Sequence, residues 1–443
     1  MKKPGFWLWK MGVCRMLEAD RRKVDPQVAF LNVRQSGAVG DGAASDTRAL
    51  QGAIDAAAQS GGGTVLVPAG KYVTGSLFLR DNITLFLDAG AILLGSENPA
   101  DYPIARARWE GVTQDTHAPL VAGERLKNIA LVGRGTIDGR GAIWWQKHRA
   151  KTLDAPRPRL ISFANSTNVL IEGVTLMNSP AWTINPVRCE NVTVDKVTIV
   201  NPPDSPNTDG INPDSCRNVH ISNCHVDVGD DCVTIKSGIE TESPELRAPC
   251  ENITVTNCTM VHGHGGVVIG SEMSGGVRNV VISNCVFVGT DRGIRLKSRR
   301  GRGGYIEDVR ATNIIMREVL CPFTINLYYH INKLGDKMVS DKQPRPIDEG
   351  TPRVRHVHLS HVTARDAKIA AGFVYGLPEM PIEDLTLDDV SVTMDRTAQA
   401  GYADMADDIP PMQAAGLFVR NVRGLRLREV EIMNQVGEAF LIG

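Results

Sequence analysis

The sequence of 443 residues has almost no net charge, few aromatic side chains and no long apolar run. Its 49 basic and 50 acidic residues give a formal charge of -1, which supplies no overall field to attract nucleic acid or an anionic membrane. Aromatic residues make up only 5%, so stacking platforms for bases are scarce. No apolar segment reaches the length of about 18 residues that a membrane span needs. We therefore expect no nucleic-acid partner and no membrane partner.

The N-terminus contains no recognisable export signal. Two lysines precede a short apolar stretch at residues 6–9, but Lys10 interrupts it and no cleavage site of small residues follows. We therefore interpret residues 1–30 as an extension of the mature chain. A cytoplasmic protein is expected on this basis, and a periplasmic or secreted location is the alternative.

The nine cysteines form no Cys-x-x-Cys pair, which is a usual spacing of zinc ligands. Cys224, Cys258 and Cys285 each follow an asparagine in similar contexts. Free cysteine packs as a small apolar residue, and thiols stay reduced in a cytoplasm. The sequence thus predicts a buried column of thiols, and we expect no metal and no cofactor.

From about residue 125 to the C-terminus, one phrase recurs about every 22 to 34 residues. It consists of a polar residue, often asparagine, then alternating apolar residues, then a turn rich in glycine, asparagine or aspartate. The alternation predicts a short strand, and its regular return predicts a solenoid of parallel strands. The expected fold class is all-β, a single-stranded right-handed parallel β-helix. The clearest copies begin at Asn128, Asn168, Asn191, Asn218, Asn252 and Asn279.

A second recurring phrase predicts the register of the strands. Four segments, beginning at Gly210, Cys232, Gly266 and Gly293, align without gaps. Because successive side chains of a strand point to opposite faces, the alignment separates inward from outward positions. The inward set is Ile211, Val233, Val267 and Ile294, and the outward set is Asn212, Thr234, Val268 and Arg295.

The segments outside the repeat indicate a capping helix and long loops. Asp46 could cap a helix over about residues 47–59, which would shield the open N-terminal end of the solenoid. Residues 97–117 and 335–351 interrupt the period and are predicted to be long loops that shape a binding cleft. The predicted organisation is one β-helix catalytic domain over residues 31–443, a helix cap at about 46–60 and catalytic coils at about 180–330.

Three aspartates are the candidate catalytic residues. Asp230 and Asp231 follow Gly229, which permits a bend that brings both side chains to one site, and Asp209 lies about one repeat earlier. If each repeat is one turn of a coil, the three acids stack on one surface patch. An acidic pair at a glycine turn is usually only a solvated turn. Crowded carboxylates cannot all stay ionised, however, and one becomes a proton donor near neutral pH.

His264 lies between glycines, one repeat beyond the acidic pair and at the same edge of the coil. A lone histidine in a glycine turn is more often a surface residue. Its register beside the two carboxylates favours a catalytic role instead, because they would hold the imidazole and it could tune or orient the acid.

Arg295 and Lys297 lie one coil further on, with both side chains on the outward face. An arginine fork and a lysine ammonium together suit the binding of a carboxylate. The wider run with Arg299, Arg300 and Arg302 gives the alternative of a solvated or phosphate-binding loop. Three acids in the same cleft would repel a phosphate backbone, which argues against nucleic acid as the ligand.

Four motifs, in this order, resemble those of glycoside hydrolase family 28, the polygalacturonases. They are Asn207-Thr208-Asp209-Gly210, Gly229-Asp230-Asp231, Gly263-His264-Gly265 and Arg295-Leu296-Lys297. An upstream segment, residues 135–139 with Trp144 and Trp145, also resembles the family, so the similarity covers nearly the whole chain. The family fold is the pectin-lyase-like β-helix, in agreement with the solenoid expected from the repeats.

The resemblance implies an inverting glycosidase that cleaves α-1,4-galacturonosidic bonds of polygalacturonate or oligogalacturonides, the backbone of pectin in plant cell walls. It makes Asp230 the general acid, Asp209 and Asp231 the bases that activate water, and His264 a supporting catalytic residue. The residues that it implies for substrate binding are Arg295, Lys297 and Asn207.

Residues 271–276, Ser-Glu-Met-Ser-Gly-Gly, resemble bacterial exo-acting members of the family, which release sugar from the non-reducing end. The apparent lack of an export signal fits an enzyme that trims imported oligogalacturonides, because polymeric pectin cannot enter a cytoplasm. Either a monomer or a homo-oligomer is compatible with the sequence.

Three alternatives remain open at the level of the sequence. A rhamnogalacturonan or xylogalacturonan hydrolase would belong to the same family, although rhamnogalacturonan hydrolases depart from some of the motifs. A pectate-lyase-like protein would share the β-helix but need a Ca²⁺ site of several carboxylates and an arginine base. A non-catalytic carbohydrate-binding solenoid would release no reducing sugar.

Overall fold

The structure is a computed structural model that describes residues 29–243, 247–331 and 333–443. Parallel strands dominate it, and successive turns of the coil add strands to three faces of a right-handed parallel β-helix. This architecture confirms the fold class predicted from the repeats. The predicted N-terminal extension lies almost wholly outside the described residues.

The strands are short in the first half of the chain and longer from Val277 onward, where single strands of 12 to 15 residues bend around the coil. In chain order they are β1 (Ala29–Asn32), β2 (Asp41–Ser45), β3 (Gly63–Val67), β4 (Gly70–Thr74), β5 (Leu77–Phe78), β6 (Ile83–Leu87), β7 (Ala91–Gly95), β8 (Ile104–Trp109), β9 (Val112–His117), β10 (Val121–Glu124), β11 (Lys127–Gly133), β12 (Thr136–Asp138), β13 (Ile161–Ala164), β14 (Thr167–Glu172), β15 (Thr175–Met177), β16 (Ile184–Val187), β17 (Glu190–Asp195), β18 (Thr198–Val200), β19 (Arg217–Ser222), β20 (His225–Val228), β21 (Val233–Ile235), β22 (Cys250–Thr256), β23 (Thr259–His262), β24 (Val267–Ile269), β25 (Val277–Val288), β26 (Arg292–Lys297), β27 (Tyr305–Arg317), β28 (Cys321–Asn326), β29 (Arg353–Ala367), β30 (Ala370–Tyr375), β31 (Ile382–Met394), β32 (Ala415–Arg420), β33 (Val422–Arg423), β34 (Arg426–Met433) and β35 (Val436–Ile442).

Each face is a ladder of parallel strands from successive turns. The first face runs from β1 and β3 through β11, β17 and β22 to β34, and the second from β2 and β4 through β12 to β23. From β25 onward, the long strands serve both of these faces. The third face runs from β5 to β16 and, after an isolated bridge at Ile211, from β21 to β35. Arg295 and Lys297 of the predicted site lie on its strand β26, and Asp231 and His264 lie shortly before β21 and β24.

The register predicted for the third face is confirmed. Val233 pairs with Val267 and Val267 with Ile294, so the inward positions align. Thr234 pairs with Val268, and Val268 pairs with Arg295, which places the opposite side of successive strands in line. Residues far apart in the sequence therefore meet on one surface.

The recurring asparagines form a ladder of side-chain amides. Each amide donates to the carbonyl oxygen of the asparagine one turn earlier, as from Asn191 to Asn168 at 3.1 Å and from Asn218 to Asn191 at 3.0 Å. All of them adopt a left-handed backbone conformation, with φ near +57° at Asn191 and Asn218. Asparagine tolerates this conformation better than most residues, which explains why the phrase begins with it.

The interior of the coil is a continuous apolar core of valine, isoleucine and leucine. The predicted thiol column is confirmed, because Cys224, Cys258 and Cys285 are buried within it. A second column of buried thiols, at Cys189, Cys216 and Cys250, lies on successive turns and was not predicted. All cysteines of the described ranges are free.

Helix α1 (Thr47–Gln59) covers the N-terminal end of the coil and buries Leu50, Ala53, Ile54 and Ala57, as predicted. The expected capping role of Asp46 is wrong in its detail. Its side chain caps no helical N–H group but accepts hydrogen bonds from the backbone of Val39 at 2.6 Å and Gly40 at 3.1 Å. Two further helices are α2 (Ala142–Arg149) and α3 (Lys337–Ser340). Within the described ranges, no helix has the length and apolarity needed to cross a membrane.

The two predicted long loops differ from each other in the structure. Residues 97–117 contain a 3₁₀ turn at Pro99–Asp101 and an antiparallel hairpin of β8 and β9, so a simple loop is the wrong description. Residues 335–351 are irregular apart from α3, as expected.

Candidate active site

The predicted catalytic residues lie where the chain enters the third face of the coil. The backbone N–H of Gly210 donates to Asp231 at 3.0 Å, and that of Cys232 donates to Gly265 at 2.8 Å, which stacks three successive turns. One oxygen each from Asp209, Asp230 and Asp231 lies within 4.8 Å of the others. The structure thus brings together acids that the sequence separates by a whole turn.

The chain bends at Gly229 and Asp230, as the sequence analysis predicts. Gly229 does not adopt a left-handed conformation, so backbone freedom is not its function here. An added Cβ would lie 2.6 Å from the carbonyl oxygen of Ser205 and 2.7 Å from that of Pro202. Glycine is required because the bend passes directly against the preceding turn.

Asp209 is the most deeply enclosed of the three acids, and 3% of the residue is exposed. Its Oδ2 accepts hydrogen bonds from Asn212 at 2.9 Å and Thr234 at 3.2 Å. Burial first, and then repulsion from Asp230, raise the pKa of Asp209 from its ordinary value of 3.8 to about 8. Asp209 therefore holds a proton at neutral pH.

Asp230 and His264 form a close pair. Nδ1 of His264 lies 3.2 Å from Oδ1 of Asp230, which also accepts from the backbone N–H of Asp231 at 2.9 Å. Burial acts to raise the pKa of Asp230, but the hydrogen bond and charge of His264 outweigh it and lower that pKa to about 2. The same hydrogen bond raises the pKa of His264 to about 9. In the free protein, Asp209 is thus the acid whose pKa is raised, whereas the pKa of Asp230 is lowered.

Asp231 is held by cations on one side and has a free oxygen on the other. Lys297 Nζ donates to Oδ2 of Asp231 at 2.9 Å, and Nη1 of Arg295 lies 3.7 Å from Oδ1. Oδ1 accepts no hydrogen bond from any residue that the structure describes. One oxygen of this buried carboxylate thereby keeps unused hydrogen-bond acceptor capacity.

Arg295 is engaged inside the protein to a greater extent than the sequence predicts. Its Nε and Nη2 contact the two carboxylate oxygens of Asp404 at 3.3 and 2.6 Å, and both side chains are buried. Asp404 also accepts from Thr324 Oγ1 at 3.1 Å and from the backbone N–H of Met405 at 2.7 Å. The double-donor edge of Arg295 is therefore occupied, and its Nη1 faces Asp231.

Asp404 is a functional residue that the sequence analysis missed. It lies in an irregular segment, 109 positions after Arg295, where no repeat predicts its place. Tyr329 was missed as well. Its ring centre lies 5.4 Å from the guanidinium carbon of Arg295 and 5.3 Å from the ammonium of Lys297, which places an aromatic face beside both cations.

Asn207 lies at the site in a left-handed conformation, with φ of +53°. Its side-chain oxygen accepts from Arg157 Nη2 at 2.6 Å. Arg157 also donates to the carbonyl oxygens of Pro180 at 2.9 Å and Pro206 at 2.6 Å. This buried arginine therefore orients the side chain of Asn207, a residue that lines the site.

Further cations surround the acids, and each has an acidic partner. Lys236 contacts Glu272 at 3.1 Å and lies 4.8 Å from the ring centre of Trp182. Arg299 and Arg302 both contact Glu240, the first at 2.7 Å. Glu272 belongs to residues 271–276, the segment that the sequence analysis singled out. Lys236, Arg295, Lys297, Arg299 and Arg302 thus form a cationic wall that faces the three aspartates, and each of these cations is paired with an acid.

These side chains enclose a cavity of about 580 Å³. Its lining includes Glu110 and Trp182 from earlier turns, and Tyr329, Lys333 and Met405 from later segments. Volumes of this size are typical of small-ligand sites. By spacing alone, the three acids could also surround a cation. Their oxygens are largely engaged by Lys297, His264 and the hydrogen bonds to Asp209, which suits proton transfer.

Comparisons with known proteins agree with the family resemblance of the four motifs and with the β-helix fold. The family model described as glycosyl hydrolases family 28 matches residues 65–407. A probable polygalacturonase of Vitis vinifera is 33% identical over 366 residues, which cover 80% of this chain and 72% of that protein. An exo-poly-alpha-D-galacturonosidase of Dickeya chrysanthemi is 30% identical over 65% of this chain and 55% of its own length. The crystal structure of a hyperthermoactive exopolygalacturonase from Thermotoga maritima superimposes with a TM-score of 0.79 at 30% identity, over 92% of each chain.

Proposed function

Because the chain belongs to glycosyl hydrolases family 28 and is therefore a glycoside hydrolase, we propose that it cleaves α-1,4-galacturonosidic bonds of polygalacturonate or oligogalacturonides from a chain end. The observation that carries the proposal is the group of three aspartates within 4.8 Å of one another, facing a cationic wall. Carboxyl groups of this kind break glycosidic bonds, and the cations suit a sugar that bears a carboxylate. The names of the relatives support the same substrate.

The substrate carboxylate would bind to the donors that remain on the cationic wall. Asp404 occupies Nε and Nη2 of Arg295, so Nη1 is the guanidinium nitrogen left for a ligand. Lys297 uses one of its three N–H donors on Asp231 and keeps the others. A galacturonate carboxylate beside Tyr329 would therefore meet one donor from each of two cations.

Asp230 would act as the general acid through His264. In the free protein at neutral pH, Asp230 is ionised and His264 carries the proton, 3.2 Å away. The proton would pass from Nδ1 of His264 to Asp230 and on to the glycosidic oxygen while the bond between that oxygen and the anomeric carbon breaks. The leaving sugar then departs with a neutral hydroxyl group.

Asp231 would accept the proton of the attacking water, because its Oδ1 is the buried oxygen available as an acceptor. The water oxygen forms the new bond to the anomeric carbon, and its proton moves to the carboxylate. Asp209 carries a proton in the free protein and would orient the water as a hydrogen-bonding partner, rather than act as an equal second base.

The close spacing of the acids bears on the stereochemistry. Paired carboxyl groups lie about 6.5–9.5 Å apart in typical inverting glycosidases and about 5–5.5 Å apart in retaining ones. The nearest oxygens here lie within 4.8 Å, so the spacing taken alone favours retention. We keep inversion in the proposal because the four motifs imply it and because the third acid supplies a separate base for water.

Release from a chain end is supported by the shape of the cavity. The hairpin of β8 and β9 contributes Glu110 to the lining, and later segments contribute Lys333 and Met405. Arg108 holds the hairpin by ion pairs to Asp214 and Glu242, and all three of these side chains are buried. A cavity with fixed sides admits a few sugar units and not the interior of a long chain.

The test is a time course on polygalacturonate with chromatography of the products. Galacturonate monomer from the first time points is expected, and a ladder of oligomers would contradict release from a chain end. Products that absorb in the ultraviolet would indicate a lyase, and the absence of reducing sugar would contradict hydrolysis altogether. Proton NMR of the fresh product should detect the β-anomer first, whereas the α-anomer would contradict inversion.

We also propose a cytoplasmic location, as expected for an enzyme that acts on imported oligogalacturonides. The eight cysteines of the described ranges are all free and buried. Free thiols support this location because cytoplasmic proteins rarely contain disulfides. Cell fractionation with a reporter for each compartment tests it, and activity found outside the cytoplasm would contradict it.

A further inference from the structure

A second cavity, of about 690 Å³, adjoins the catalytic cavity at the hairpin of β8 and β9. Glu110, at the tip of this hairpin, is the residue that lines both cavities. Glu110 and Gly111 form a tight turn in which both residues have positive φ, +48° and +80°. A ligand that extends from one cavity into the other therefore has to pass the side chain of Glu110.

The hairpin tip is held firmly in place. Arg108, two residues before the tip, forms buried ion pairs with Asp214 and Glu242. The ring of Trp109 stacks on that of Trp182 with a centroid distance of 5.0 Å and an angle of 13°. These contacts connect β8, the strand that leads into the tip, to the coil. Glu110 thus belongs to a fixed wall.

The second cavity has the chemistry of a site for an acidic sugar. His148, Arg149, Lys151 and Arg157 contribute to its lining, while Asp154 is an acid on the same wall. Arg157 is buried, and burial lowers its pKa only to about 10, so it stays charged at neutral pH. The cations Arg149, Lys151 and Arg157 therefore outnumber the acids Glu110 and Asp154 in the lining, and a carboxylate would be attracted to it.

We propose that Glu110 determines product length, because its carboxylate blocks the passage of a galacturonate chain from the catalytic cavity into the cationic second cavity. This inference rests on the proposed function. A further galacturonate unit would have to place its own carboxylate beside that of Glu110, and like charges at close range repel strongly in a partly enclosed site. The units between the broken bond and Glu110 then leave as the product.

The surroundings of Glu110 agree with this role. Burial, followed by repulsion from Glu272 and Asp230, raises the pKa of Glu110, whereas Lys236 and Arg157 act in the opposite direction. The acids Glu272 and Asp230 therefore already oppose a negative charge at this position. A second negative charge placed next to it would add to an interaction that already exists.

The test compares three variants in the full-length protein, with tetragalacturonate as the substrate. Glu110→Gln keeps the size of the side chain and removes its charge, and Glu110→Asp keeps the charge. Asp115→Asn is the matched control, because it removes a carboxylate from the same hairpin at an exposed ion pair with Arg106. We expect the ratio of digalacturonate to monomer among the first products to rise about tenfold in Glu110→Gln. Glu110→Asp and Asp115→Asn should keep the wild-type ratio.

A second experiment tests the cations of the second cavity. Adding Lys151→Gln to Glu110→Gln should reduce the gain in digalacturonate, because it removes one of the cations that would hold the additional unit. An unchanged ratio in Glu110→Gln, or a loss of turnover with monomer as the sole product, would overturn the inference. If the wild type itself releases a ladder of oligomers, the proposed release from a chain end fails instead. The two failures are therefore distinguishable before any variant is made.

Discussion

Replacing Asp404 by asparagine should destabilise the protein and slow the reaction at the same time. Asp404 holds Arg295 through two contacts, at 3.3 and 2.6 Å, and both residues are at most 3% exposed. Removing one partner of a buried ion pair leaves an uncompensated charge and costs about 3–5 kcal/mol. Asparagine keeps one acceptor oxygen, which can still accept from the backbone N–H of Met405, while its amide N–H can donate to Thr324 Oγ1. We therefore expect the lower end, about 3 kcal/mol.

The same change should alter the active site, because Arg295 would lose the partner that keeps it away from the free oxygen of Asp231. Nη1 of Arg295 already lies 3.7 Å from that oxygen. A released guanidinium would close this distance and occupy the acceptor proposed for the attacking water. We expect kcat to fall about tenfold or more and KM to rise as well, because Arg295 Nη1 would leave the position proposed for the substrate carboxylate.

Denaturation in guanidinium chloride, followed by tryptophan fluorescence, measures the first effect, and initial rates over a range of trigalacturonate concentrations measure the second. Asp115→Asn is the control for stability, because its ion pair with Arg106 has side chains 63% and 67% exposed and should contribute less than about 1 kcal/mol. If Asp404→Asn unfolds at the same denaturant concentration as Asp115→Asn, with the same slope, the ion pair does not stabilise the fold and the reasoning fails.

Two further predictions concern the acids themselves. Asp230→Asn should lower turnover of oligogalacturonides by about 10²–10⁴-fold, but turnover of an aryl galacturonide much less, because that leaving group needs no proton. Asp231→Asn should impair the turnover of both substrates. If Asp230→Asn lost equal turnover on the two substrates, its role as the acid would be contradicted. Asp209 has a folded pKa of about 8 against an ordinary 3.8, so its contribution to stability is complete below about pH 4 and is lost as the pH rises to about 8. Asp209→Asn should therefore gain up to about 5 kcal/mol relative to the wild type between pH 4 and pH 8, and parallel stability curves for the two proteins would contradict the raised pKa.

The sequence predicts the coil well because its repeat is a physical one. Alternating apolar residues define the core, and the asparagine that opens each phrase occupies a left-handed position, so spacing alone predicts which residues stack. The gathering of Asp209, Asp230 and Asp231 follows from that spacing, since neighbouring turns pair without a shift in register.

The parts that could not be predicted lie outside the repeat. Asp404 reaches Arg295 from an irregular segment, and nothing in the local pattern indicates its partner. The sequence also could not predict which aspartate has the raised pKa, because that depends on burial and on the contact between His264 and Asp230. The hairpin of β8 and β9, in contrast, could have been predicted from the sequence. Alternation from Ile104 to Trp109, followed by a turn at Gly111, is typical of two paired strands.

The stacking of backbone hydrogen bonds at Gly210 and Cys232 has a practical outcome for anyone who redesigns this protein. The reacting groups are aligned by the spine of the coil, whereas the hairpin of β8 and β9 and the segment around Asp404 are appendages inserted between its turns. Such appendages can be exchanged or shortened without disturbing the spine as long as Arg295 keeps an anionic partner and Asp214 and Glu242 keep a cationic one. Chain-length preference should therefore be transferable by grafting, while the chemistry stays with the scaffold.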